Sequence, residues 1–450
     1  MPKLWEKGYQ LDQLVEDFTV GEDPLLDQQL IFYDCIGSMA HAAMLEKINI
    51  LTKEEFQQLH KGLQSVIQLE QKNEFSIKSE EEDVHTAIEN FLTQNIGEVG
   101  KKLHTARSRN DQVLLDLRLY TKKELLELCK IVLQLAKTLQ IFAEKYKNIP
   151  IPGRTHLQKA MPSSLGLWAG AFMESLLEDF LILQNAYQIN NQCPLGSAAS
   201  YGASIAIDRQ FTADLLGFQK VQNNVLYANN SRGKFESIHV HAFAQTMNDL
   251  SKLSSDLILF SIPEFAYLRL PKKYCSGSSL MPQKHNPCAM ELIRAKAATV
   301  SSSLLQLLEI IRAIPSGYNR DFQETKAPFM KALATTKAST LVMERVFQDI
   351  EVNKKACLEA FSPELFATDK VLQLVEKGIA FRDAYKQVAN DLQTVKSLDP
   401  VENILMKKHI GATGNLQLHL ATEQMETYAK WLQKEQDSWE ETVNKIINLI

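Results

Sequence analysis

Apolar residues recur every three or four positions along this chain, over stretches far longer than an ordinary helix and without glycine or proline to interrupt them. The clearest case lies between Gly100 and Pro150, where VLLDLRLYTKKELLELCKIVLQLAKTLQIFAEKYK repeats its leucines at helical spacing and predicts one long amphipathic helix. Residues 234–262, 288–314 and 329–362 are equally free of breaks, each well beyond the typical helix of about 11–12 residues. Rods of this kind, about 45 Å long for 30 residues, must bury their apolar stripes on one another. The pattern therefore predicts an all-α fold built on an elongated central bundle of long helices. Strand alternation is almost absent. Residues 288–314 carry apolar or small side chains around most of the helix, which predicts enclosure by neighbours, including helices of further subunits.

Shorter helical stretches flank the bundle. Breaks near Gly21, Gly37 and Asn73 divide the N-terminal part, and breaks at Gly378, Pro400 and Gly411 divide the part after Pro363 into short helices. The expected organisation is an N-terminal helical domain (1–108), a central long-helix bundle forming the oligomer core (109–358) and a small C-terminal helical domain (359–450). Glycine and proline gather at 149–166, 194–202, 263–287 and 315–328, and loops held by a rigid bundle are where polar chemistry is expected.

Composition mostly excludes. With 450 residues, 45% hydrophobic and 23% charged, the chain can bury a core and is neither disordered nor a disulfide scaffold. A formal charge of -5 gives no overall basic footprint, so neither nucleic acid nor a membrane is an expected partner. Six scattered cysteines without a CxxC pair argue against a zinc knuckle and fit a reducing, cytoplasmic compartment. The N-terminus MPKLWEKGYQ lacks the apolar stretch of an export signal, and the longest uncharged run, 180–207, is too polar and broken for a membrane span.

The most informative segment is SGSSLMPQKHNP, Ser276 to Pro287, between two long helices. Its small residues allow a mobile loop whose free backbone N–H groups can bind an anion, and Lys284 and Asn286 add a positive charge and an amide. A Gly/Ser stretch ahead of a proline is, by itself, ordinary turn chemistry. The full string, however, closely resembles the GSSxMPxKxNP signature of the fumarase/aspartase superfamily, whose members eliminate fumarate from succinyl-bearing substrates. The resemblance implies the helical-bundle fold reached above on other grounds, and a general base at Ser278. An unperturbed hydroxyl is a poor base, so Ser278 would need activation by Lys284 and by backbone N–H groups.

Three further segments carry the resemblance. In GRTHLQKAMP, Gly153 to Pro162, a lone histidine would ordinarily be structural. Its likeness to the superfamily's second region implies that Thr155 binds a substrate carboxylate and His156 does acid/base work. Glu291, on the first turn after the signature loop, matches that histidine's partner and would raise its basicity. KLHTARSRNDQV, Lys102 to Val113, and EDVHTAIE, Glu82 to Glu89, resemble the argininosuccinate lyases rather than adenylosuccinate lyases or fumarases. On composition alone, Arg107, Arg109 and Asp111 would be a solvated charge cluster at a helix start. The resemblance makes Asn110 a substrate ligand and Arg107 and Arg109 holders of carboxylates. GYNRDFQETKAP, Gly317 to Pro328, is similar to the same family and adds Tyr318, Gln323 and Lys326 as substrate contacts. The likeness extends through PLGSAASYG (194–202) and SPELFATDKVLQLVEKGIAFRDAYK, from Lys3 to about Val388.

Several positions depart from that pattern. Ala106 stands where glycine is frequent, Arg154 where tyrosine is, Met161 where glutamine is, and His285 where a second lysine is. The stretch FTVGEDPLLDQQL differs from the family's Asn-Ala-Ser-Ile version, so no substrate-binding serine carries over there. The reaction implied is reversible elimination of fumarate from argininosuccinate to give arginine, the last step of arginine synthesis, with no cofactor or metal. Ser278 would remove the proton, Lys284 and loop N–H groups would stabilise the dianion, and His156 with Glu291 would help protonate the leaving guanidino nitrogen. The family also implies a homotetramer whose active sites draw on three chains. Another fumarate-releasing lyase, acting on adenylosuccinate, and a crystallin-like structural homologue are the two alternatives.

Overall fold

The computed structural model describes residues 12–450. The stretch read above for an export signal, and the start of the resemblance at Lys3, lie outside those residues. Five long helices form the centre: Arg109–Tyr146, Leu165–Asn190, Lys234–Ser261, Cys288–Arg312 and Lys326–Asp349. The first has 38 residues and so spans about 57 Å. Its own sequence fixes its start. The Asp111 carboxylate accepts from the Ser108 N–H at 2.8 Å, and Ser108 Oγ accepts from the Asn110 N–H at 3.3 Å, a reciprocal cap.

The leucines of Arg109–Tyr146 bury against Leu165–Asn190, and Lys234–Ser261 pairs with Cys288–Arg312 in the same way. Where the chain enters the second helix, a β-carbon on Gly166 would lie 2.5 Å from Lys147 Cα, so the close approach there requires glycine. The apolar interior is continuous, with Phe243 stacked on Phe329 at 6.3 Å and Tyr120 edge-on to Phe329 at 6.4 Å. Cys288–Arg312 buries only one stripe, which includes Met290, Ile293, Val300 and Leu307. Its Leu292 and Leu305 remain 57% and 60% exposed.

The all-α expectation holds, with two local differences. Short helices do follow Pro363, but only as far as Met406; Leu418–Ile447 is a single helix of 30 residues. It packs on the central core. Tyr428 stacks on Phe180 at 4.3 Å, the Tyr187 hydroxyl donates to Glu435 at 2.9 Å, and His60 Nε2 lies 2.9 Å from the Ile446 carbonyl. Its stripe of Leu418, Ala421, Met425, Tyr428 and Leu432 begins only after the last of the glycine and proline breaks. A separate small core of Phe366, Val371, Ala384, Val388 and Val395 closes the preceding segment.

The second difference is three two-stranded ladders among the described residues. The largest is an antiparallel hairpin of Pro150–Thr155 and Gln158–Ser164, with His156 and Leu157 as its two-residue loop. Both loop residues have positive φ, 52° and 60°, as the turn that matches strand twist demands. Prolines at 150, 152 and 162 hide these strands from any alternation pattern. No described helix is long and apolar enough to cross a membrane.

Candidate active site

A cleft of ≈ 450 Å³ opens where the N-terminal helices, Glu82 to His85, the start of Arg109–Tyr146, Arg232 and residues 318–326 converge. Of the residues expected to bind substrate, Arg109, Asn110, Tyr318, Gln323 and Lys326 line it together. Local bonds place them there. The second Asp111 oxygen accepts from the Gly196 and Ala198 N–H groups at 3.0 and 2.8 Å, tying the helix start to the PLGSAASYG loop. The Gly317 N–H donates to Asn230 Oδ1 at 2.8 Å. Gln323 Nε2 donates to the Thr19 and Val20 carbonyls at 3.0 and 3.3 Å, and Arg320 Nη2 donates to the Thr19 carbonyl at 2.6 Å.

Charge in the cleft is balanced rather than basic. Asp23, Asp27, Glu82 and Asp83 face Arg109, Arg232, Arg320 and Lys326. Lys326 is 1% exposed, and its ammonium donates to Asp23 at 2.9 Å and to Asp27. Burial alone would depress it, but the two carboxylates outweigh burial and hold its pKa above the ordinary lysine value. Burial dominates at Asp23 and raises its carboxyl against the pull of Lys326. Arg109 donates to Glu82 at 3.0 Å and to the Thr86 hydroxyl at 2.7 Å, and lies 3.3 Å from Asp83. The acids of EDVHTA therefore orient this arginine.

Arg107 turns away from the cleft. Its Nη1 donates to Ser38 Oγ at 2.9 Å, in a buried nest with Asp34, His85 and Asp116. Those last three bring metal-ligating atoms within 4.8 Å of one another, although no metal spacing is visible in the sequence. His85 Nδ1, however, is 2.5 Å from Asp34 Oδ2 and 3.6 Å from Asp116 Oδ2. The nitrogen that would face a metal is hydrogen-bonded to Asp34, and Asp34 and His85 form a buried ion pair.

The catalytic candidates sit on projections. Ser278 is half-buried in a loop pinched by mutual backbone bonds between Ser276 and Asn286, at 3.0 and 2.8 Å. Its Oγ accepts from the Met281 N–H at 3.0 Å and the Leu280 N–H at 3.3 Å. Two donors aimed at that oxygen favour its deprotonated form. Lys284 and Glu291 are exposed, Asn286 reaches back toward the Gly277 carbonyl at 3.5 Å, and Thr155 and His156 stand exposed at the hairpin tip. Within this one chain, none of Ser278, Lys284, Asn286, Thr155, His156 and Glu291 is among the residues lining the cleft.

Two departures from the family pattern acquire a physical account. Arg154 lays its guanidinium on the Phe265 ring at 4.1 Å and donates to the Leu157 carbonyl at 2.8 Å, bracing the hairpin tip. Ala106 occupies a left-handed backbone position, φ 60°, where glycine carries no steric penalty. Sequence reasoning missed Asp23, Asp27 and Arg232 as cleft residues. The two aspartates, four residues apart on one helical face, were a usable signal; a lone Ser-Arg-Gly between helices was not.

Comparison with known proteins identifies the family. The profile of a family described as Lyase matches residues 6–302. The argininosuccinate lyase of Thermotoga neapolitana is 45% identical over 86% of this chain and 97% of its own length. That of Parabacteroides distasonis is 43% identical over 92% of both. Among solved structures, an EDDS lyase in complex with formate superposes with a TM-score of 0.82 at 23% identity, covering 98% of this chain and 97% of its own, which establishes the shared fold. With identity of this order sustained over nearly the whole of both chains, the chain belongs to the argininosuccinate lyase family.

Proposed function

We propose that this protein cleaves argininosuccinate reversibly to arginine and fumarate. The observation that carries the reading is the charge-balanced cleft, in which Arg109, Asn110, Tyr318, Gln323 and Lys326 meet from segments more than 200 residues apart. A substrate bearing three carboxylates, an ammonium and a guanidinium calls for both signs of charge in one cleft.

Ser278 Oγ takes the proton from the succinyl carbon next to a carboxylate. The electron pair moves into that carboxylate, where Lys284, Asn286 and the loop N–H groups stabilise the resulting dianion. Collapse expels the guanidino nitrogen, which His156, paired with Glu291, protonates; Thr155 holds a succinyl carboxylate. Arg107 supports the site from behind the cleft rather than by touching substrate. The displacement of the Ser278 loop and the His156 hairpin from the cleft supports a homotetramer in which different copies supply these pieces. The half-exposed leucines of Cys288–Arg312 offer apolar surface for such packing. Six free cysteines accord with a reducing cytoplasm.

The test is ultraviolet detection of fumarate from argininosuccinate, with adenylosuccinate as comparison and Ser278→Ala as control. Release from argininosuccinate alone, abolished in the variant, is the expected result. Absence of release by the intact protein overturns the reading; undiminished release by Ser278→Ala overturns only the assignment of the base.

A further inference from the structure

The hairpin that carries Thr155 and His156 is not self-supporting. A two-stranded ladder standing alone is marginally stable at best, and prolines at 150, 152 and 162 remove three of its N–H groups. A register shift between Pro152 and Arg154 interrupts the pairing just before the tip. The Leu165 N–H donates to the Ile149 carbonyl at 3.0 Å, so two-residue alternation puts Pro152 opposite Pro162 at a non-bonded pair. That is where residues without an N–H fit, and it turns the Pro162 carbonyl outward from the ladder.

Lys407 meets that carbonyl. It lies 245 positions away in sequence, and its ammonium donates to the Pro162 oxygen at 2.7 Å. The side chain is half-buried; burial lowers its pKa against the opposing charge of Asp369, whose Oδ2 is itself buried without a hydrogen-bond partner. Partly burying a flexible ammonium against one neutral acceptor costs hydration and rotamer freedom, so the chain around Lys407 must impose the contact. It does so through a tight turn. Lys407 directly follows the helix Pro400–Met406, its carbonyl accepts from the Gly414 N–H at 3.1 Å, and a β-carbon on Gly414 would lie 2.9 Å from that oxygen. Thr413, 5% exposed, donates to the Ile404 carbonyl at 2.6 Å and closes the same turn. A second lysine makes the reverse link, since Lys159 of the hairpin donates to the Ala360 carbonyl at 2.6 Å.

We propose that Lys407 is a positioning residue for His156, pinning the hairpin from the C-terminal segment so that the imidazole stands at a fixed place. The assignment rests on the lyase reading above. Lys407 is not among the residues lining the cleft and acts only through the hairpin. Arg154 braces the tip on Phe265, and Lys407 holds the strand on which that tip stands.

Lys407→Met keeps the reach of the side chain and removes the donor, and Lys407→Arg restores one. In the methionine variant kcat for fumarate release should fall about ten- to a hundredfold, as expected for a catalytic group displaced by about 1 Å, while Lys407→Arg should retain most of the native rate. In a His156→Asn background the same methionine change should cost little more, because the group it positions is already gone; a general weakening of the fold would instead multiply the two deficits. Hydrogen exchange read by peptide should show residues 150–164 opening faster in Lys407→Met than in the native protein, with the long central helices unaltered. Native kcat in Lys407→Met, or deficits that multiply in the double variant, overturn the proposal. Should Lys407→Met not fold, Lys407→Gln, shorter by one bond and uncharged, gives the same readings. If the native protein releases no fumarate, the lyase reading fails separately, and the exchange comparison still decides whether Lys407 holds the hairpin: equal exchange in the two proteins overturns it.

Discussion

His85 Nδ1 and Asp34 Oδ2 are 2.5 Å apart in a fully buried setting, and Asp116 faces the same nitrogen at 3.6 Å. Burial opposes a charged His85, but the bond and charge of Asp34 outweigh it and hold its pKa above the ordinary histidine value. Burial likewise pushes Asp34 up, and His85 more than reverses this, so the Asp34 carboxyl lies below its usual range. The His85 contribution to stability is complete below about pH 6.5, its unfolded value, and is lost as pH rises through the elevated folded value. The Asp34 contribution is present above about pH 3.9 and is lost as pH falls through the depressed one. Asp34→Asn should therefore destabilise the protein by about 3–5 kcal/mol near pH 6 and by less near pH 9. Urea unfolding at the two pH values measures the difference; a gap independent of pH would refute the ion-pair account.

Asp116 behaves in the opposite sense. It is 1% exposed, its Oδ2 accepts no hydrogen bond, and burial, then Asp34 and Asp27, push its pKa well above the ordinary range. A carboxyl raised in the fold favours the native state only while protonated, and this advantage fades as pH climbs past the unfolded value. Asp116→Asn should gain on the native protein between pH 5 and pH 8, by about 1–3 kcal/mol at the upper end. Parallel stability profiles for the two proteins would show that Asp116 is compensated in some other way.

At the hairpin tip, the acid/base role proposed for His156 and the turn geometry fall on the same residue. Asparagine tolerates positive φ, so His156→Asn should preserve the turn at φ 52°. Loss of a general acid/base typically lowers kcat by about 10²–10⁴-fold. Comparing kcat with the melting temperature separates the two effects. A variant that loses both together would point to a structural role for the ring.

If separate copies supply the Ser278 loop and the His156 hairpin, two dead variants can rescue one another. Ser278→Ala and His156→Asn, mixed and reassembled from denaturant, should recover a fraction of native activity because some sites then receive both intact pieces. No recovery in a mixture shown by mass spectrometry to contain hybrid assemblies would place the two residues in one chain's site.

Ala106 offers a stabilising change. A left-handed position is unfavourable for an L-residue by about 1–2 kcal/mol, and glycine returns roughly 0.4–1 kcal/mol of that through the freedom of the unfolded chain. Ala106→Gly should therefore raise stability by up to about 1.6 kcal/mol, visible as a higher melting temperature. A lower one would mean that the Ala106 methyl makes a compensating contact.

The long helices were legible because their stripes run unbroken, and the motif strings placed Arg109, Asn110, Tyr318, Gln323 and Lys326 on one surface. Leu418–Ile447 has an equally regular stripe, yet the short breaks before it suggested a fragmented tail. Strands such as Pro150–Thr155, bent by prolines and a bulge, carry no period-two signal to read. Asp23 and Asp27 carried a readable four-residue spacing, whereas Arg232 became a cleft residue only through tertiary contact. Nothing in the local sequence of Arg232 distinguishes a buried guanidinium from a solvated one.

The pairing of Asp23 with Lys326 also bears on how the molecule is made. The two residues are 303 positions apart. Closing so long a loop adds little to the equilibrium balance, since each doubling of length costs only about 0.6 kcal/mol, but it delays the step in time. On a ribosome adding about 5–20 residues per second, Asp23 emerges roughly 15–60 s before the lysine that neutralises it. Throughout that interval Asp23 and Asp27 lack their ammonium partner, and the cleft lacks the residue that closes it. A ligand that needs the Lys326 ammonium can be held only by chains already synthesised through residue 326, so the cleft as a binding surface belongs to a late stage of synthesis.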